Sequence, residues 1–143
     1  MGFPEWLVGR RRASIPYDEE GNPLFRAANP GVVQVASPDL TTWNGTKAGA
    51  GISVLVAAPG AGKRLVVTAF VLQNESTTAL IMRLKSGGTT NGWRCLGQNQ
   101  GDGLAMTFHA GHEWTLNENE SLNLELSDAD TCAVSYSYYT ESV

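Results

Sequence analysis

The chain is short of the residues from which reaction centres, metal sites and membrane segments are usually built. It has two cysteines and two histidines in 143 residues. Cys95 and Cys132 stand far apart and match no metal-ligand spacing, and free thiols are expected rather than a disulfide. His109, His112 and Glu113 fall across a glycine turn, not at the i, i+4 spacing of a zinc-protease helix, so no metal is expected. Gly-x-Ser-x-Gly, the nucleophile elbow, does not occur. No apolar run approaches the ~18 residues of a membrane span. Positive charge is not in excess: the net charge of -4 argues against general nucleic-acid binding. Helical periodicity is missing too. The carboxylates Glu113, Glu118, Glu120, Asp128 and Asp130 fall mostly in expected turns, where solvated acids are more usual than a glycosidase pair. These absences predict a protein that is not an enzyme and needs no cofactor.

What is abundant is Gly, Asn, Ser and Thr, the residues that make turns. Between the turns lie β-rich runs. The most prominent stretch is Ile52–Leu72, two apolar runs around Pro59-Gly60-Ala61-Gly62-Lys63-Arg64. It reads as a long central hairpin, its second run apolar on both parities and so covered on both faces. The connector resembles a phosphate-binding loop only superficially. Ala57 stands where the first glycine belongs, Arg64 replaces the hydroxyl residue, and the run after it is β-branched rather than helical.

Further along, Leu80, Met82 and Leu84 alternate with Arg83 and Lys85. Trp93–Gln98 is a weaker strand, and Asp102-Gly103 gives a hairpin signal before Leu104, Met106 and Phe108. Leu122, Leu124 and Leu126 mark the clearest one-sided strand, and Cys132, Val134, Tyr136 and Tyr138 share a phase in the last. Residues 37–51 read as a loop, preceded by an edge strand at Val32–Ala36. Asn44, Asn74 and Asn119 each begin an Asn-x-Ser/Thr triplet and read as exposed turn residues. Eight or nine strands at ~8–12 residue spacing predict an all-β, two-sheet antiparallel β-sandwich, jelly-roll-like, over 32–143.

Residues 1–31 differ. Pro4, Pro16, Pro23 and Pro30 break any long helix or inner strand, yet Phe3, Trp6, Tyr17 and Phe25 carry more apolar surface than a disordered tail would. With Arg10, Arg11 and Arg12 they predict an extended N-terminal arm that binds a partner or lies back on its own domain. The basic residues come after a very short apolar patch, the wrong order for a secretory signal, and Trp6 stands where myristoylation wants Ser or Thr. Assembly in a cytosol is the expectation. Trp43, Trp93 and Trp114 could form a stacking platform for sugars, a surface for subunit contact, or plugs at the ends of the sandwich.

Several short motifs together carry a resemblance. Ala58-Pro59-Gly60-Ala61-Gly62-Lys63-Arg64, a long strand through Val71-Leu72, Leu84-Lys85-Ser86-Gly87-Gly88, Asn119-Glu120-Ser121-Leu122-Asn123-Leu124 and a closing Tyr138-Tyr139-Thr140-Glu141 span about two-thirds of the chain. Their order resembles that in small structural proteins of tailed bacteriophages, of the head decoration (cement) type. The resemblance implies a virion component on the outer capsid surface, assembled in the host cytoplasm. It also implies homotrimers and the major capsid protein as partner, with neither nucleic acid nor membrane engaged. A tail or head-tail connector component and a carbohydrate-binding β-sandwich module are the alternatives.

Overall fold

Alternating apolar and polar side chains, broken every few residues by glycine or asparagine, build strands and little else. The computed structural model describes residues 38–143 apart from residue 89, and leaves the side chains of 90 and 91 undescribed. The expected strand at Val32–Ala36 and the arm residues Phe3, Trp6, Arg10, Arg11, Arg12, Tyr17 and Phe25 lie outside the described residues. Within them are nine strands and no helix: β1 (Thr41–Ala48), β2 (Gly51–Val56), β3 (Lys63–Asn74), β4 (Leu80–Ser86), β5 (Thr90–Gly97), β6 (Gly103–Thr107), β7 (Trp114–Thr115), β8 (Leu122–Leu126) and β9 (Thr131–Ser142).

The strands form two antiparallel sheets, ordered β1-β9-β3-β6, with β7 also beside β3, and β2-β8-β4-β5. The pairs β1·β9, β2·β8, β3·β6 and β4·β5 nest inside one another along the chain. The pairs β3·β9 and β4·β8 complete the two sheets. This is a single long hairpin wound on itself, the jelly-roll order. The all-β sandwich expected from the sequence is the fold observed.

The inner faces meet in one core. Leu65, Val67, Phe70 and Leu72 of β3 face Leu80, Met82 and Leu84 of β4 and Leu122, Leu124 and Leu126 of β8, with Cys132, Val134 and Tyr136 of β9. Tyr136 is stitched to the opposite sheet by its hydroxyl, which donates to the Leu55 carbonyl at 2.9 Å. Removing such a side chain, as in Leu124→Ala, costs about 2–5 kcal/mol through lost burial and the cavity left behind.

Four local expectations are corrected. First, β2 and β3 are not a hairpin. They belong to different sheets, and residues 57–62 carry the chain across the sandwich. A Pro-Gly connector looks the same in sequence whether it turns within a sheet or between sheets. Second, β3 is covered on both faces only in its first half, where Val66 is as buried as Leu65 and Val67; a bulge at Thr68, between Val67 and Ala69, then shifts its phase. Leu65 and Val67 face inward before it, Phe70 and Leu72 after it, while Val71 is 44% exposed. Third, the expected loop at 37–51 contains β1, which has a single large side chain, Trp43, and otherwise holds its place by backbone pairing to β9 and by contacts such as Thr42–Ser137 between hydroxyls at 3.1 Å. Fourth, Asp102-Gly103 does not close a hairpin, because β5 and β6 lie in different sheets. The glycine is needed for another reason: a Cβ on Gly103 would lie 2.0 Å from the Leu72 carbonyl oxygen.

Asn74 departs from its expected exposure as well. It is fully buried, donates to the Thr78 and Gly97 carbonyls at 2.7 and 3.2 Å, and accepts from the Ser76 amide at 2.9 Å. It ties the corner after β3 to the end of β5.

Candidate functional site

The connector between β2 and β3 is the first place where sequence suggests ligand chemistry, and the protein fills it with its own side chains. The turn 117–120 folds against it. The Gly60 amide donates to Asn119 Oδ1 at 3.0 Å and the Gly62 amide to Glu118 Oε1 at 2.7 Å. Asn119 itself sits at φ +54°, a left-handed conformation that asparagine tolerates better than most residues, and its amide donates to the Lys63 carbonyl at 2.8 Å. A carboxamide oxygen and a carboxylate thus occupy the amides that a phosphate would need.

The three described tryptophans pack into the sandwich. Trp93 lies on Phe70 and Phe108, with ring centroids 5.9 and 5.8 Å away, and Trp114 meets Phe70 edge-on at 6.5 Å. Trp43 stacks on Tyr136 at 5.5 Å across β1 and β9. Its indole covers Gly45, where a Cβ would come within 2.6 Å of the ring. All three indoles are partly buried against the core. The structure brings Trp93 and Trp114 together and keeps Trp43 apart, so the trio forms no shared stacking platform.

The histidine turn is local. The His112 amide donates to the His109 carbonyl at 2.9 Å, and Glu113 accepts from the Gly111 amide at 2.8 Å. Among the described residues, no group of three or more His, Cys, Asp or Glu side chains could hold a metal ion. Cys95 and Cys132 are both free thiols. Burial pushes the Cys132 thiol up to about 11, and it lies 3.3 Å from the Met82 sulfur. Burial, and then the charge of Asp102, also raises Cys95.

A concavity lies on the outward face of the four-stranded sheet. It is an open groove of about 470 Å³ lined by Arg83, Leu84, Lys85, Gly92, Trp93, Arg94 and Glu125. Its origin is local. Leu84 pairs with Trp93 but Lys85 pairs with Asn91, so Gly92 is the extra residue of a bulge. Only glycine fits there, since a Cβ would lie 2.2 Å from the Trp114 ring and 2.8 Å from the Leu84 carbonyl. Around the bulge the pleat places Arg83 and Lys85 of β4 and Arg94 of β5 on one face with Glu125 of β8. Glu125 accepts from Arg83 at 3.2 Å and from Lys85 at 3.3 Å. Burial raises the Glu125 carboxyl, but the hydrogen bonds and charges of Lys85 and Arg83 outweigh it and hold it below the usual value.

Alternation in the sequence puts Arg83 and Lys85 on a polar parity but does not reveal that Arg94 and Glu125 join them. It gives the face of a strand and leaves open which strands are neighbours.

No protein-family model matches the chain, and no curated protein matches it.

Proposed function

We propose that the chain is a non-enzymatic structural protein of a tailed-bacteriophage virion, a decoration or cement protein that binds the outer capsid surface and stabilises contacts between major capsid subunits. The observation that supports this most is the strand order β1-β9-β3-β6 and β2-β8-β4-β5, the jelly roll that viral capsid domains share with lectins and cupins. The interior is filled by leucines and aromatics rather than opened around a ligand. Such a body offers rigidity and surface, which is what a cement protein needs. Binding only the assembled shell stabilises it by mass action. The arm residues Phe3, Trp6, Arg10, Arg11, Arg12, Tyr17 and Phe25 add reach toward the major capsid protein. A homotrimer would let neighbouring copies share contacts around an axis.

Imaging purified particles that carry a tagged copy tests the reading. Label spread over the head supports it. Label at the tail or the neck moves the protein to the connector class, and absence from particles overturns it. Removing residues 1–31 should abolish docking on expanded heads while the jelly roll keeps its thermal transition. Light scattering at micromolar concentration reads the mass of the trimer. The carbohydrate-module alternative is disfavoured by Trp93 and Trp114, whose rings are turned to Phe70 and Phe108; indole emission should stay unchanged across a glycan panel.

A further inference from the structure

Two apolar residues of β2 face the wrong way for a core, while Leu55 and Val56 pack against it. Alternation would send Ile52 and Val54 inward, yet they are 48% and 56% exposed, on the same outward face as the groove. Leu96 of β5, paired with Ile81 of β4, is 46% exposed on that face too. Across the sheet the register aligns Ile52, Glu125, Arg83 and Arg94 in one row, with Val54, Asn123 and Lys85 in the next. Aliphatic side chains therefore flank a cluster of cations.

That cluster is poorly designed for folding alone. Arg83 and Arg94 are direct cross-strand partners, and like charges placed opposite each other destabilise a sheet. One carboxylate, Glu125, serves both Arg83 and Lys85. Arg94 forms no salt bridge among the described residues. The face holds three cations to one anion in a chain of net charge -4. A partner that brought carboxylates would remove the repulsion and complete the guanidinium forks, which match planar carboxylates with two parallel hydrogen bonds.

We infer that this outward face, where Arg83 and Arg94 present charge beside the buried Lys85 and are flanked by Ile52, Val54 and Leu96, is a docking surface for an acidic polypeptide segment with aliphatic residues between its carboxylates. Charge complementarity selects the acid, and the exposed aliphatics select a polypeptide over a nucleic acid. A phosphate backbone would gain nothing from Ile52, Val54 or Leu96, and it would meet Glu125 in the groove wall. The inference stands apart from the virion reading, because it concerns binding by the purified chain.

A random peptide library displayed against the full-length protein tests it. Enriched peptides should combine Asp or Glu with Leu, Ile or Val. One of them, labelled for fluorescence polarisation, should bind Arg94→Glu at least ~10-fold more weakly, in line with the loss of a charge-assisted hydrogen bond. Val54→Ser should weaken it too. Both positions are exposed, and matching thermal transitions certify the fold. Glu125→Gln should strengthen binding by releasing Arg83 and Lys85, an effect that general destabilisation would not produce. Neutral or basic peptides among the enriched set, no enrichment at all, unchanged affinity in Arg94→Glu, or tighter binding of a DNA oligonucleotide than of the peptide would each overturn the inference.

Discussion

At the scale of the residue, space and solvation decide more than chemical type. Cys132 is fully buried, and burial carries its thiol from an ordinary 9.0 up to about 11. The folded state thus prefers the neutral thiol. Its contribution to stability is whole below pH 9 and is lost as pH rises toward 11, by on the order of 2 kcal/mol at the upper end. Denaturant titrations across that window should show stability falling in the native chain and a shallower fall in Cys132→Ala. Some slope should remain, because burial also raises Tyr136 and Tyr139. Glycine 103 makes the steric case. Its missing Cβ would strike the Leu72 backbone, so Gly103→Ala should cost about 2–3 kcal/mol by thermal or chemical denaturation, from overpacking that no side-chain rotation relieves. Gly88→Ala, with nothing within 4 Å, should stay within about 0.5 kcal/mol of the native chain.

At the scale of the element, the informative features are where strands stop alternating and where the chain changes sheets. The connector 57–62 depends on a partner distant in sequence, the turn holding Glu118 and Asn119. Asn119→Ala loses both the bond to the Gly60 amide and the residue's tolerance of positive φ, and should destabilise by about 1–2 kcal/mol. Asn119→Gly keeps the backbone and loses only the side-chain bond, so its effect should be the smaller of the two. The Thr68 bulge carries the same lesson. A single extra residue moves the inward set of β3 from Leu65 and Val67 to Phe70 and Leu72. Before the bulge both faces are covered, Val66 included, and after it Val71 is exposed, a change that parity alone does not show.

At the scale of the whole molecule, the first strand pairs with the last, and the inner pairs nest within that one. Contacts this distant in sequence must be closed before they stabilise anything. Refolding of the full chain should therefore take ~milliseconds to seconds in stopped-flow dilution, and microsecond recovery of the native indole signal would contradict a core organised by β1·β9 and β3·β9. The same winding brings β4, β5 and β8 edge to edge, and so gathers Arg83, Lys85 and Arg94 with Glu125, which lies about thirty to forty residues further along the chain.

Strand type and the inward sets of β4, β6, β8 and β9 are set by the amino-acid order, because a half-buried strand repeats every two residues and its core side chains announce themselves; β1, with no such repeat, reads as a loop. Pairing is not set that way. Whether Pro59-Gly60 or Asp102-Gly103 turns within a sheet or crosses to the other depends on close approaches, such as Leu72 against Gly103, that only the packed chain creates. The outward placement of Ile52 and Val54, and the meeting of three cations around one bulge, are of that second kind. A strand's periodicity fixes which residues share a face, while burial against a particular neighbour determines which face becomes core.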